Sequence, residues 1–483
     1  MDFTPLDVKS SYSLLKSPTR ISDLVTTAKE RGYKALALTD ENVLYGAVEF
    51  YNAAKKAGIK PIFGLRLVVA LNETDGTKLD LVFLAKNQRG YQHLMDLSTL
   101  QQTRKDKKAP LTVAQISPLL NELFIIIPPQ STVFSVLAQP TSILTELANL
   151  GDDDSVLLGV NSRLDDVQID TLQQLSKQLS LPLVGTSPVD YLNANDLFAS
   201  RVLQAIDAGV ELKDPTIEAE RRGQHYLHSK EQVIQDYKAK GLSAAAQKTV
   251  EVATLCNVEL QFRAPVLPHF KNQAGISSQQ YLRSLCIQGL KKRRVAPGKT
   301  IQQYQERLAM ELKIIHEMGF DDYFLIVWDV INFAHQQKIT TDPGRGSAAG
   351  SLVAYALAIT EVDPLQYDLL FERFLNPERA QMPDIDLDIP DNRRDEVLQY
   401  VHQKYGHQRV AQIITFGTLA AKQVVRDVSR VFNLPRYDMQ RLIDALPHGL
   451  HVTLKDALNE SQQLKNLLDD NPKFRLLIQV AQH

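Results

Sequence analysis

Six short apolar runs in the first part of the chain constrain its fold more than any other feature. They are ALALT (35–39), PIFGLRLVVA (61–70), LDLVFLA (79–85), LFIII (123–127), SVLLGV (155–160) and LPLVGT (181–186). Amphipathic stretches such as ISDLVTTAKERG, AVEFYNAAKKAG and VQIDTLQQLSKQLS fill most of the gaps between them. Repeated β-then-α order predicts an α/β fold with a parallel sheet, closed into a distorted barrel over residues 1–264. Sites on such barrels lie at the C-terminal ends of the strands. Asp7 and Lys9, Asp40 and Glu41 after ALALT, Arg66 within PIFGLRLVVA, and Asp190 shortly after the last run fall there.

The prolines and lost period of RAPVLP (263–268) mark a linker, and a second domain starts beyond it. Residues 278–317 read as helical and strongly charged, interrupted by LKKRRVAPGKT. The run Gly298-Lys299-Thr300 imitates the end of a phosphate-binding loop. The first glycine of that motif would have to stand at Arg293, and no strand precedes it, so a solvated basic loop is the reading. DDYFLIVWDVINFAHQQ, from Asp321, reads as a buried helix carrying Trp328, the single tryptophan, into the core.

Next comes a glycine-rich turn, DPGRGSAAGS (342–351), running into the apolar helix LVAYALAI and followed about forty residues after the turn by MPDIDLDI. Apolar and acidic residues alternate in the second segment. A strand there puts Asp384, Asp386 and Asp388 on one face and Ile385, Leu387 and Ile389 on the other. Carboxylates about 6.6 Å apart on one face repel unless cations sit between them. Hard oxygen ligands favour Mg²⁺, and a bridged pair of ions is the expected remedy. In the turn, Gly344, Gly346 and Gly350 with Ser347 and Ser351 let backbone N–H groups approach an anion at the start of a helix. FERFLNPER adds Arg373 and Arg379, whose planar forks suit phosphate. Polyphosphate, paired metals and a carboxylate strand together point to nucleotidyl transfer.

Beyond it, DNRRDEVLQYVHQKYG reads as an amphipathic helix, AQIITFG as a short strand and turn, and TLAAKQVVRDVSRVF as a further helix. Lys422, Arg426 and Arg430 recur every four residues and form one basic stripe, a candidate contact to a phosphate backbone. Such local faces would have to carry any nucleic-acid binding, because the net charge is only -2. Two cysteines, Cys256 and Cys286, offer no disulfide framework or thiolate cluster, and no apolar run approaches membrane-spanning length. A reducing cytoplasm is the expected location. The last residues, ending in VAQH, carry no stop signal, and the chain reads as cut short.

PGRGSAAGSLVAY, LLFERFLNPER, MPDIDLD and QIITFGTLAAK, in this order, make the whole chain resemble the alpha subunit of bacterial DNA polymerase III, the C-family replicative polymerase, in its DnaE-type form. The resemblance implies a barrel of the polymerase and histidinol phosphatase type (1–264), a polymerase-beta-like nucleotidyltransferase palm (265–415) and a helical thumb (416–483). It implies template-directed transfer of deoxynucleotides from dNTP to a primer 3′-hydroxyl by two-metal catalysis. Asp384 and Asp386 match the first two catalytic, metal-binding aspartates. Gly344, Gly346 and Ser347 fall in the turn that holds the triphosphate, and Arg373 and Arg379 match arginines near it. Lys422, Arg426 and Arg430 would grip DNA. Implied partners are primer–template DNA, dNTP, a sliding clamp and a proofreading exonuclease, with no membrane.

The sequence departs from that family in three respects. The third catalytic aspartate, the fingers and the clamp-binding region would lie beyond position 483, so the chain alone is expected to be inactive. Asp342 stands where the family usually has glycine. In related barrels the first motif pairs two histidines, yet Asp7 and Lys9 hold those positions; Glu41 and Asp190 stand where histidines are expected, and Arg66 where a glutamate is usual. No metal cluster is therefore expected in the barrel, with Lys9 and Arg66 pairing instead with Asp7, Asp40, Asp80 and Asp190. The alternatives are a non-catalytic scaffold binding DNA and a proofreading subunit, or a barrel phosphoesterase or exonuclease.

Overall fold

The computed structural model describes residues 2–71, 78–107, 109–129, 154–262, 266–272, 274–379, 382–447 and 452–482, with 144, 145, 147, 148 and 449 besides. The chain forms two units, one of Met1–Gln261 with Gly417–His483 and the other of Phe262–Phe416. Of the linker read at 263–268, residues 263–265 lie outside the described residues.

In the first unit all six apolar runs are strands. These are β1 (Ala35–Leu38), β2 (Lys60–Ala70), β3 (Lys78–Ala85), β5 (Leu123–Ile127), β6 (Val156–Val160) and β7 (Leu183–Gly185), with a two-residue β4 (Leu111–Thr112) between β3 and β5 in the chain. The sheet order is β1-β2-β3-β5-β6-β7, with β4 pairing β2. The expected all-parallel sheet is corrected at β3, which is antiparallel to both β2 and β5. The cause is local. The connection from Ala70 to Lys78 is too short for a crossover, which takes a dozen or more residues.

The strands are covered on both faces, and the side-chain period of two splits their apolar residues into two sets. Ala35, Ala37, Ile62, Val82, Leu84, Phe124 and Ile126 join one buried cluster. Leu36, Leu38, Phe63, Leu65, Phe83 and Ile125 join the other, which packs on helices such as Ile21–Glu30 and Ala47–Ala57. The extended N-terminal segment closes the barrel-like sheet. Ala37 and Thr39 donate to the carbonyls of Pro5 and Val8 at the β1 edge, while Val189 donates to Asp7 and Lys9 to Val189 just past β7. Asp7 and Lys9 are thereby fixed between the two edges.

The segment from residue 421 is helical, in Ala421–Val431, Arg436–Asp444, Leu454–Glu460, Gln462–Asp470 and Pro472–Ala481. It is not a thumb standing as a body of its own. Its apolar face belongs to the first unit and packs on the helix Leu197–Ala208, with the Phe198 and Phe432 rings 6.0 Å apart and Leu212 N–H bonded to Val431 O at 2.9 Å.

The second unit is built on the helices Ser278–Leu290, Ile301–Glu317, Asp321–Gln336, Leu352–Ala356 and Arg394–Tyr405. Among its described residues there is no β-strand, so the strands expected at MPDIDLDI and AQIITFG are corrected. MPDIDLDI is extended but unladdered, and residues 411–417, where a strand and turn were expected, are exposed throughout and have no strand. Ladders need partners, and neither segment meets one among the described residues. Gly298-Lys299-Thr300 is a helix start: Thr300 and Gln303 form a reciprocal capping box, and Lys299 pairs with Asp368 at 2.6 Å. Trp328 packs edge-on against Phe270 and Tyr281. Among the described residues no helix is long and apolar enough to cross a membrane.

Candidate functional site

The glycine turn and the aspartate segment lie against each other in the second unit. Asp384, Asp386 and Asp388 are exposed, while Ile385 and Leu387 pack on the main cluster of this unit and Ile389 on a smaller one. The alternation read from the sequence therefore holds without a ladder. It is maintained by packing and by two bonds: Ile385 N–H donates to Tyr323 Oη at 3.0 Å, and Asp342 N–H to Asp388 O at 3.3 Å. Burial raises the Tyr323 phenol above its ordinary pKa, and the charges of Asp384 and Asp386 add to the shift.

Gly344 and Gly346 have φ of +114° and +67°, values that favour glycine, and they fold the turn tightly. A Cβ added to Gly346 would stand 4.0 Å from Asp386 Oδ2, so the carboxylate lies just past the space that a side chain there would fill. Arg345, between those glycines, reaches both acidic neighbours. Its Nη1 is 2.9 Å from Asp386 Oδ2 and its Nε 2.8 Å from Asp388 Oδ2. Asp342, the unexpected charge before the turn, accepts Gly344 N–H at 3.1 Å and braces the backbone.

The anion expected at the start of the following helix is already present as a protein side chain. Glu311, on the helix Ile301–Glu317, is fully buried. It accepts from Ser351 Oγ at 3.0 Å and from Leu352 and Val353 N–H at 2.9 and 3.0 Å. Arg307 pairs with it at 2.6 Å and also holds the carbonyls of Gly350 and Leu369. Burial pushes the Glu311 carboxyl up, against the opposing pull of the two N–H groups and Arg307. Ser351 and the helix start are thus taken. The exposed Ser347, in the 3₁₀ turn Gly346–Gly350, remains open to a ligand.

Arg373 ends the 3₁₀ turn Phe371–Arg373, exposed and in no ion pair among the described residues. Arg379 ends the turn Pro377–Arg379, and its side chain lies outside the described residues. In the first unit, Arg426 and Arg430 are exposed on the helix Ala421–Val431 and Lys422 is half-buried, while Val425, Val428 and Val431 face the core. Asp427 interrupts the basic stripe and lies 3.6 Å from Arg430.

At the barrel positions, Arg66 shares the sheet face of Ile62 and Val82. Its Nη1 donates to both oxygens of the buried Asp7 at 2.7 Å, and its Nε to Asp80 at 3.0 Å. Burial alone would depress the guanidinium, but the charges of Asp7 and Asp80 outweigh it and raise the pKa above its ordinary value. Lys9 pairs with Asp190 at 3.1 Å, and His225 Nδ1 lies 2.8 Å from the other oxygen of that carboxylate. Burial opposes ionisation of Asp190, yet His225 and Lys9 together hold its pKa down to about 2. Asp40 corrects the expected pairing: among the described residues it meets no cation. It accepts from Ser10 N–H and Oγ at 2.7 Å and from Ser13 Oγ at 2.6 Å, and burial raises its pKa.

Arg345, Glu311 and His225 were missed in the sequence. Glu311 carried a signal, because it shares the helical stripe of Tyr304, Leu308 and Ile315, where an acid on a buried face needs a partner. Arg345 and His225 carried none, since both meet their partners across long separations.

Oxygen donors on the aspartate face suit a hard divalent cation. The set is incomplete, for among the described residues no group of three or more His, Cys, Asp or Glu is placed to hold one ion.

Two family models match the chain: PHP domain over residues 5–128, and Bacterial DNA polymerase III alpha NTPase domain over residues 280–483. Among curated proteins, DNA polymerase III subunit alpha of Halalkalibacterium halodurans is 40% identical over 488 residues, covering 100% of this chain and 43% of that protein. The subunit of the same name from Bacillus subtilis is 40% identical over 489 residues, with the same shares covered. Among solved structures, an amidohydrolase from Chromobacterium violaceum overlaps 39% of this chain and 87% of its own, at 13% identity and a TM-score of 0.28. The chain thus spans less than half the length of the curated relatives it matches.

Proposed function

This chain belongs to the family of DNA polymerase III alpha subunits, matching their N-terminal portion, and we propose that it carries part of the nucleotide site of a replicative, template-directed DNA polymerase. The reaction is attack of a primer 3′-hydroxyl on the alpha-phosphate of a dNTP, with pyrophosphate leaving. One observation carries this reading. The glycine turn and the aspartate segment, forty residues apart, meet through Arg345 at Asp386 and Asp388 and through the Asp342–Asp388 backbone bond.

Each residue then has a task. Gly344, Gly346 and Ser347 present the turn to the triphosphate, upstream of the helix start that Glu311 fills. Arg373 and Arg379 neutralise phosphate charge. Asp384 and Asp386 are two ligands of a set that is incomplete among the described residues, and Mg²⁺ is the proposed cation. When bound, it would offset charge on the reacting phosphates. Lys422, Arg426 and Arg430 hold the duplex backbone without reading bases. At the barrel positions, Arg66 and Lys9 supply the positive charge for Asp7, Asp80 and Asp190 in place of metals. Primer–template DNA, dNTP and other replicase subunits, among them a sliding clamp and a proofreading exonuclease, are the proposed partners, in a bacterial cytoplasm.

The test combines binding with primer extension. The chain should bind a fluorescent dNTP with Mg²⁺, more weakly by about tenfold after Asp384→Asn with the melting temperature unchanged, and should extend no primer. Indifference of dNTP binding to Asp384→Asn and to Ser347→Ala would remove the proposed site. Extension that Asp384→Ala abolishes would keep the site and show that two aspartates suffice.

A further inference from the structure

A cation already stands at the aspartate face, and the glycine turn supplies it. The Arg345 guanidinium spans Asp386 and Asp388, at 2.9 and 2.8 Å. Its fixed fork suits two carboxylates that an extended segment sets two residues apart on one face. The three side chains are 54%, 42% and 52% exposed, so the pairing is weak and exchangeable rather than a buried staple. Nearby fixation lies in the backbone instead: Asp342 braces Gly344, and the Glu311–Arg307 pair holds the end of the turn. Arg345 can therefore leave the aspartates while the turn keeps its shape.

We infer that Arg345 is a resident counter-ion of the cation site, and that a divalent cation binds Asp386 by displacing it. This rests on the reading of Asp384 and Asp386 as cation ligands. The two cations compete for Asp386 Oδ2, and like charges so close repel. A displaced guanidinium stays tethered between Gly344 and Gly346, beside Ser347, where the turn takes its anion. Arg345 is thus a positioning residue: arrival of the cation removes one anionic partner from the turn and frees the guanidinium for phosphate.

Mn²⁺ binding to the whole chain, followed by the electron-paramagnetic signal of the free ion, tests the exchange without reference to catalysis. Arg345→Gln should bind Mn²⁺ three- to tenfold more tightly than the unsubstituted chain, and the gain should vanish in the Arg345→Gln, Asp386→Asn double variant. Arg345→Lys, which keeps its charge but reaches one carboxylate at a time, should gain about twofold. Equal or weaker binding by Arg345→Gln, while Asp386→Asn still weakens the unsubstituted chain, overturns the counter-ion role and leaves the ligands standing. A lower melting temperature in Arg345→Gln, restored by lysine with no change in Mn²⁺ affinity, identifies a structural staple and overturns it too. Mn²⁺ affinity indifferent to Asp384→Asn and Asp386→Asn removes the ligand reading itself.

Discussion

Asp7 is 2% exposed, and among the described residues its charge is matched by one guanidinium, that of Arg66. Removing one member of a buried pair leaves the other uncompensated, at a cost of about 3–5 kcal/mol. Arg66→Met should lower unfolding free energy in urea by that amount, and Arg66→Met with Asp7→Leu should recover much of it. Asp190 makes a pH prediction. Its folded pKa of about 2 lies below the ordinary 3.8, so its stabilisation is complete above about pH 4 and fades as pH falls through 2. Asp190→Asn should remove about 2 kcal/mol at pH 5, and the loss should shrink in urea titrations repeated from pH 5 down to pH 3. At this scale the sequence was half legible. Asp7, Arg66 and Asp190 could be named from their strand-end positions, whereas His225 and Arg345 are joined to their partners only by tertiary folding.

Among elements, the helix Ala421–Val431 shows how far a period carries. Its valines at 425 and 428 face inward and its arginines outward, as spacing alone dictates. If that outer face meets duplex phosphates, Arg426→Ala should weaken binding alike for every sequence. It should also reduce the slope of log affinity against log salt by about 1, measured by anisotropy between 50 and 200 mM salt. A sequence-dependent loss would argue against backbone gripping. The strands were equally legible, because long apolar runs bounded by turns leave few alternatives. The direction of β3 depended on loop length rather than on any residue. MPDIDLDI kept its alternation but formed no ladder, since hydrogen-bond partners are a property of the neighbours and not of the segment.

For the whole molecule, the stretch 411–420 is exposed throughout and outside any helix or strand, with Ile413 92% and Phe416 48% exposed. Limited chymotrypsin should cut there first, at Phe416 or Leu419, as mass spectrometry of the early fragments would reveal. The released helices should stay attached under native conditions, because Phe432 and its neighbours remain packed on Phe198 and Val202. Native gels should then show one band where denaturing gels show two, and two native bands would contradict that packing.

The same interrupted unit bears on synthesis. A ribosome delivers the sheet and the helix Leu197–Ala208 long before Val425 and Phe432 exist to cover that helix. At roughly 5–20 residues per second, making residues 262–416 takes on the order of ten seconds. Throughout that interval the nascent chain carries Phe198 and Val202 without their final cover, a window in which a holding chaperone would have its natural target.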